Sequence, residues 1–255
     1  MQCRRLALAL MFLLIGLCAS ISARAEDLLV AVAANFVQPM EQLSADFAQR
    51  SGYSIKVSTG SSGNFVKQIE NGAPFALFLS ADEERPAKLE QEGNAVAGTR
   101  YTYAIGRLVL WSRKPGLNAN DPAEALTGED VRHIAIANPD VAPYGRAAMQ
   151  TLQRLGLWDD IQPKLVRGED IAQTFQWVDT GNAELGFVAL SQVVKTENGS
   201  RWLVPTELYQ PIRQQAVLLK AGQNNPAAQA FLTYLRSEPA RSIITSFGYA
   251  VEPQS

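Results

Sequence analysis

Four short turns hold most of the directed hydrogen-bonding chemistry in this 255-residue sequence. Ala34-Asn35 follows the apolar run LLVAVAA (28–34), Ser61-Ser62-Gly63 follows SIKVS (54–58), NPDVAPYG (138–145) follows HIAIA (133–137), and RGEDI (167–171) follows KLV (164–166). Each stands between a strand pattern and a helix pattern. A helix start exposes N–H groups with no intrahelical partner and an effective charge of about +0.5, so several starts converging on a cleft favour an anion without lysine or arginine. Small residues and glycines keep the backbone approachable. Asn35, Ser62 and Tyr144 add side-chain donors, and Ile171 opens the fourth helix. Each also has a plainer reading: Asn35 and Ser61 or Ser62 as helix caps worth ~1 kcal/mol, Tyr144 and Ile171 as packing, Glu169-Asp170 as a cap. What favours the anion is that the turns occupy the same topological place in two separate βα series.

Other chemistry fits less well. GSSGNFVK (60–67) has its glycines too close for a phosphate-binding loop, and no Ser or Thr follows Lys67. The sole histidine, His133, opens an apolar strand, so a Ser-His-acid site at Ser61 or Ser62 has no base. The consecutive acids Asp82, Glu83 and Glu84 cannot converge on one cation and read as a solvated helix start. Arg146 and Arg167 flank the turns and read as surface charges.

The elements that position these turns follow from periodicity. Phe36, Met40, Leu43 and Phe47 recur at helical spacing up to Gly52, FALFLSA (75–81) is a third strand, and Asp82 caps the helix that holds Pro86. YTYAIGRLVLW (101–111) is long and β-rich. A second series then follows: HIAIA, a helix over 145–155, KLV, a helix over 170–179, and LGFVAL (185–190). QAVLLK (215–220) and helices over 226–237 and 239–247 close the chain. The pattern predicts an α/β fold of two lobes joined by two extended crossings, with residues 26–106 plus 216–255 in lobe 1 and 107–215 in lobe 2.

Residues 1–25 read as a signal peptide: Arg4 and Arg5, an apolar run, then Ala23-Arg24-Ala25 before Glu26. Both cysteines, Cys3 and Cys18, lie inside it, so the mature chain has no thiol chemistry. Cleavage takes away three cations and no acid, moving the formal net charge from −2 to −5. With no basic run left, nucleic acid is excluded as a partner. No later apolar run reaches the ~18 residues of a membrane span, so a soluble periplasmic protein is expected.

Along essentially its whole mature length the sequence resembles the periplasmic molybdate-binding proteins of ABC transporters, the ModA family. The resemblance is carried by VAVAANF (30–36), SSGNFVKQIENGAP (61–74), FLSADEERPAKL (78–89), YAIGRLVLWS (103–112), NPDVAPYGRAA (138–148), LGFVAL (185–190) and FGYAV (247–251). It implies a type II periplasmic binding fold that holds molybdate or tungstate between its lobes through neutral donors. It further implies a monomer that is no enzyme, needs no cofactor, and delivers its cargo to a permease in the inner membrane. The metal arrives as an oxyanion, so no residue ligates it as a cation. Carried over by position, Asn35 and Ser62 contact the ion from lobe 1, and Tyr144 and the Ile171 N–H from lobe 2. Some relatives have a hydroxyl where this chain has Ala34, and some a tyrosine where it has Ala189, so the number of donors is less fixed than their location. The alternatives are a binder of another oxyanion or a small carboxylate, a secreted serine hydrolase, and a sensor or adhesion domain that signals without transport.

Overall fold

The computed structural model describes residues 28–118 and 120–253. The signal peptide and both cysteines lie outside them. In chain order the elements are β1 (Leu28–Ala33), α1 (Val37–Ser51), β2 (Ile55–Gly60), α2 (Ser62–Glu70), β3 (Leu77–Leu79), α3 (Glu84–Gln91), β4 (Tyr101–Gly106), β5 (Leu108–Ser112), α4 (Pro122–Thr127), β6 (Ile134–Ala137), α5 (Pro143–Arg154), β7 (Leu165–Gly168), α6 (Ile171–Asp179), β8 (Leu185–Ala189), α7 (Leu190–Val193), β9 (Ser200–Leu203), β10 (Ile212–Leu218), α8 (Pro226–Tyr234) and α9 (Glu238–Ser246). A 3-10 turn, Ala34–Phe36, leads directly into α1.

Two five-stranded sheets result, ordered β2-β1-β3-β10-β4 and β7-β6-β8-β5-β9. Each has three parallel strands at one side, with β1 between β2 and β3 and β6 between β7 and β8. Each is completed by antiparallel strands, β10 with β4 and β5 with β9. Strands buried on both faces read as continuous apolar runs, and here alternate residues serve opposite layers. Val30, Val32, Leu77 and Leu79 share a core with Met40, Leu43 and Phe47 of α1, whereas Ala31 and Phe78 pack with Phe65, Val66 and Ile69 of α2. In the second sheet Ile134 and Ile136 meet Ala147, Ala148 and Leu152 of α5, and Ala135 meets Val178 of α6.

The β-rich run 101–111 turns out to be two strands in different sheets, separated by Arg107 alone. This is one crossing between lobes. The return path runs from β9 through a 3-10 turn at Thr206–Leu208 into β10. The division placed at 215/216 falls inside β10, whose pairing with β4 already begins at Ile212. Three short elements escaped the periodicity reading, the four-residue α7 among them. β9 is a four-residue edge strand, and α4 is six residues long and capped by Asp121, both too short to set a period. Helix α5 starts at Pro143 rather than 145, because proline suits the first turn of a helix. Tyr144 therefore lies inside the helix. No helix among the described residues is long and apolar enough to cross a membrane.

Candidate functional site

Strands β1, β2, β6 and β7 all deliver their carboxyl ends to the space between the two sheets. There, Ala33, Ala34, Asn35, Gly60, Ser61, Ser62 and Ala81 from one lobe face Ala142, Pro143, Tyr144, Asp170 and Ile171 from the other around a single cavity. All four site residues expected from sequence, Asn35, Ser62, Tyr144 and Ile171, are among its walls. Its volume at the centres of water-sized spheres is about 10 Å³. The walls from the two lobes are therefore drawn close together, with room on this measure for about one water. No lysine, arginine or histidine is in the wall.

The donors differ in what they have left to give. Ser61 precedes α2 in extended conformation but makes no capping bond, and its Oγ, on a residue only 4 % exposed, has no partner at all. Such an orphan is rare, because burying an unpaired hydroxyl costs about 1–3 kcal/mol. Ser62 Oγ accepts from the Ala81 N–H at 3.0 Å, so its own proton remains available. At α6, the Asp170 carboxylate accepts from the amides of Ala172 and Gln173, both at 2.9 Å, and leaves the Ile171 N–H outside the cap. Gln192 accepts from the Ala189 N–H and donates to the Ile171 carbonyl, holding that turn in place.

Asn35 departs from expectation. Its Nδ2 donates to Gln214 Oε1 and to the Tyr249 hydroxyl, each at 2.8 Å. Both side-chain hydrogens are spent inside the protein, which leaves the backbone N–H, within the 3-10 turn Ala34–Phe36, as the donor Asn35 can offer. Tyr249 donates to the Asn35 carbonyl, which also accepts from Ser191 Oγ at 2.9 Å. Tyr144, 1 % exposed, accepts from Gln214 Nε2 at 3.2 Å. Burial raises the pKa of the Tyr103, Tyr144 and Tyr249 phenols, that of Tyr249 to about 12, so all three are neutral donors near pH 7.

The lobes are closed on one another. The Gly63 amide of α2 donates to the Val141 carbonyl across the cleft at 2.9 Å. At the rim Arg146 pairs with Glu84 at 2.8 Å, and Arg85 donates to the Asp140 carbonyl at 3.1 Å while pairing with Asp82. Glu83 is bound by Arg213 at 3.1 Å. The three consecutive acids are therefore each matched by an arginine rather than grouped around a cation. A wider hollow of about 460 Å³ adjoins the cavity there, but its charged walls are already paired. Arg146 stays at the rim, and Arg167 is exposed on β7; neither belongs to the cavity wall. His133 is exposed at the amino end of β6, the end opposite to the cavity, and offers no base to either serine.

Sequence reasoning missed three participants. Ser61 was read as a cap, although the missing capping bond is visible only in three dimensions. Gln214 and Tyr249 gave no signal, since they reach Asn35 from 179 and 214 residues away.

A family model described as bacterial extracellular solute-binding protein matches residues 28–250. The molybdate-binding protein ModA of Azotobacter vinelandii is 51 % identical over 234 residues, covering 91 % of this chain and 92 % of the relative. The protein of the same name from Rhodobacter capsulatus is 46 % identical over 233 residues, with coverage of 91 % and 92 %. Among solved structures, the periplasmic molybdate-binding protein of Azotobacter vinelandii superimposes with a TM-score of 0.85 at 44 % identity, covering 89 % of this chain and all of that one. Two matching sheets, a cleft at their strand ends and these likenesses agree on one placement: the chain belongs to the ModA family of bacterial extracellular solute-binding proteins, with the two-lobed type II fold.

Proposed function

We propose that this protein captures molybdate or tungstate between its lobes in the periplasm and hands it, chemically unchanged, to an ABC permease of the inner membrane. One observation carries the reading: a closed cavity walled by helix-start amides and hydroxyls from both lobes contains a buried hydroxyl, Ser61, with nothing in the protein to bond to. In this reading the donors are the N–H groups of Asn35, Ser62 and Ile171 and the hydroxyls of Ser61, Ser62 and Tyr144. Charge-assisted hydrogen bonds contribute about 1.5–3 kcal/mol each. Six of them offset the dehydration of a dianion without burying a guanidinium, whose own desolvation is costly.

The protein acts as a monomer, with no cofactor and no catalytic step. Residues 1–25 serve as the export signal and are removed. The lobe division is 26–106 with the chain from β10 onward against 107 to the end of β9, which moves the second boundary of the 216–255 segment back to the start of β10.

Isothermal titration of the mature chain with molybdate, tungstate, sulfate and phosphate tests the function. Saturable heat with the first two and little with the others is expected. A signal confined to sulfate or phosphate would reassign the cargo, and none with any oxyanion would reject the class.

A further inference from the structure

Gln214 is fully buried on β10, the strand by which the chain returns to the first lobe, at the point where the β10–β4 register shifts between Gln214 and Gln215. A bulge of this kind re-aims a side chain, and here the side chain points to residues of both lobes. Its Oε1 accepts from Asn35 Nδ2 at 2.8 Å and lies 3.1 Å from the Tyr103 hydroxyl, whose single proton also has the Ser80 carbonyl at 3.1 Å, and its Nε2 donates to the Tyr144 hydroxyl at 3.2 Å. The Asn35 donor on Oε1 turns the NH₂ end of the amide toward Tyr144. The close fit is made possible by Gly106 at the end of β4, where a Cβ would stand 2.1 Å from the Tyr144 hydroxyl and 2.8 Å from Gln214 Nε2.

A phenol oxygen that accepts from an amide keeps its own proton for another acceptor. Beside Tyr144 stands the Tyr249 hydroxyl, which already accepts from Asn35. An anionic oxygen in the cavity is the stronger acceptor of the two. We propose that Gln214 is a positioning residue: by donating to the Tyr144 oxygen it commits the Tyr144 proton to the bound oxyanion. This rests on the oxyanion reading of the cavity.

A double-mutant cycle on molybdate affinity tests it, with the mature chain carrying Gln214→Met, Tyr144→Phe, both or neither. Each single change is expected to weaken binding by roughly tenfold, and Gln214→Met to add less than about twofold once Tyr144 has lost its hydroxyl. A purely structural glutamine would cost the same factor in both backgrounds, and that result, or unchanged affinity in Gln214→Met, overturns the assignment. Absence of molybdate binding by the wild-type protein would overturn the oxyanion reading together with it.

Should Gln214→Met not fold, Gln214→Glu preserves the shape. As a carboxylate it only accepts, so it claims the Tyr144 proton, whereas protonated it donates again. Its affinity should fall by about tenfold or more from pH 6 to pH 8 while the wild-type profile stays flat, because burial keeps the facing Tyr103, Tyr144 and Tyr249 phenols neutral. A flat profile for Gln214→Glu would reject the proposal.

Discussion

The hydroxyl of Ser62 accepts from the Ala81 amide, whereas that of Ser61, one residue earlier, is buried without a partner. Opposite consequences for mutation follow. Ser61→Ala removes a hydroxyl that no group of the protein satisfies, so stability should hold or rise, while molybdate affinity falls about 10- to 100-fold for the loss of one charge-assisted bond. Ser62→Ala leaves the buried Ala81 N–H unpaired and should lower stability by about 1–3 kcal/mol as well as affinity. Thermal melts and titration calorimetry on the pair check this; equal stability losses would mean that Ser61 has a structural partner after all. At this scale the sequence was half legible. Hydroxyls beside a helix start are visible as letters, but which of two adjacent serines is bonded depends on Ala81, at the end of a different strand. Asn35 shows the same limit: its type suggested a side-chain donor, and only Gln214 and Tyr249 reveal that those hydrogens are spent.

At the level of elements, the helix that begins at Ser62 meets the opposite lobe through a glycine. A Cβ at Gly63 would lie 2.9 Å from the Val141 Cα, a backbone atom with little freedom to move, and the Gly63 amide donates to the carbonyl of that same residue. In an open protein the added methyl meets no such obstacle, and alanine is the better helix former. Gly63→Ala should therefore leave the melting temperature of the empty protein unchanged or slightly raised, and weaken molybdate binding on the order of 10- to 100-fold, as overpacking of 1–3 kcal/mol implies. Small-angle scattering should show little compaction on adding ligand. Wild-type affinity would mean that the closed contact is looser than described. The inner strands β1, β3, β6 and β8 of the two βα series were readable because double burial makes them uniformly apolar. The sequence placed a lobe boundary at 106/107, but the break of this run into two strands was not readable, because Tyr101 to Trp111 is continuous in composition and the switch of sheet at Arg107 is set by what each half pairs with. On the return path Arg213 and Gln214 interrupt the apolar pattern of β10 to serve the rim and the site.

For the whole molecule, closure joins two lobes through a few polar contacts over the cavity and a wet rim. The Arg146–Glu84 pair is partly exposed, with the Glu84 side chain 63 % accessible, so it contributes at most about 1 kcal/mol and cannot hold the lobes shut unaided. The buried phenols matter more for stability. Tyr249 titrates near pH 12 when folded, chiefly through burial, against 10.0 for a free tyrosine. Below pH 10 both states keep the proton and its contribution is whole. Between pH 10 and 12 only the unfolded state loses it, so stability falls with rising pH, by about 1.4 kcal/mol per unit for each such group. Tyr103 and Tyr144 add to the same slope. Denaturant titrations from pH 8 to 12 should show this decline, shallower in Tyr249→Phe; an unaltered slope in that variant would place the effect elsewhere. The two-lobe plan itself was legible in the repeated βα rhythm, whereas the closed state was not, since it is written in contacts such as Gly63 to Val141 rather than in any single segment.

Asn35 is held by a phenol that lies 214 residues further along the chain. A polypeptide made amino end first has thus built both walls of its guest site long before the part that orients one of them exists. Competence to bind arrives late and all at once, with the final turn at Gly248-Tyr249-Ala250 docking Ala250 against Ile105. A chain ending before Tyr249 would keep both walls of the cavity and lose the group that orients Asn35.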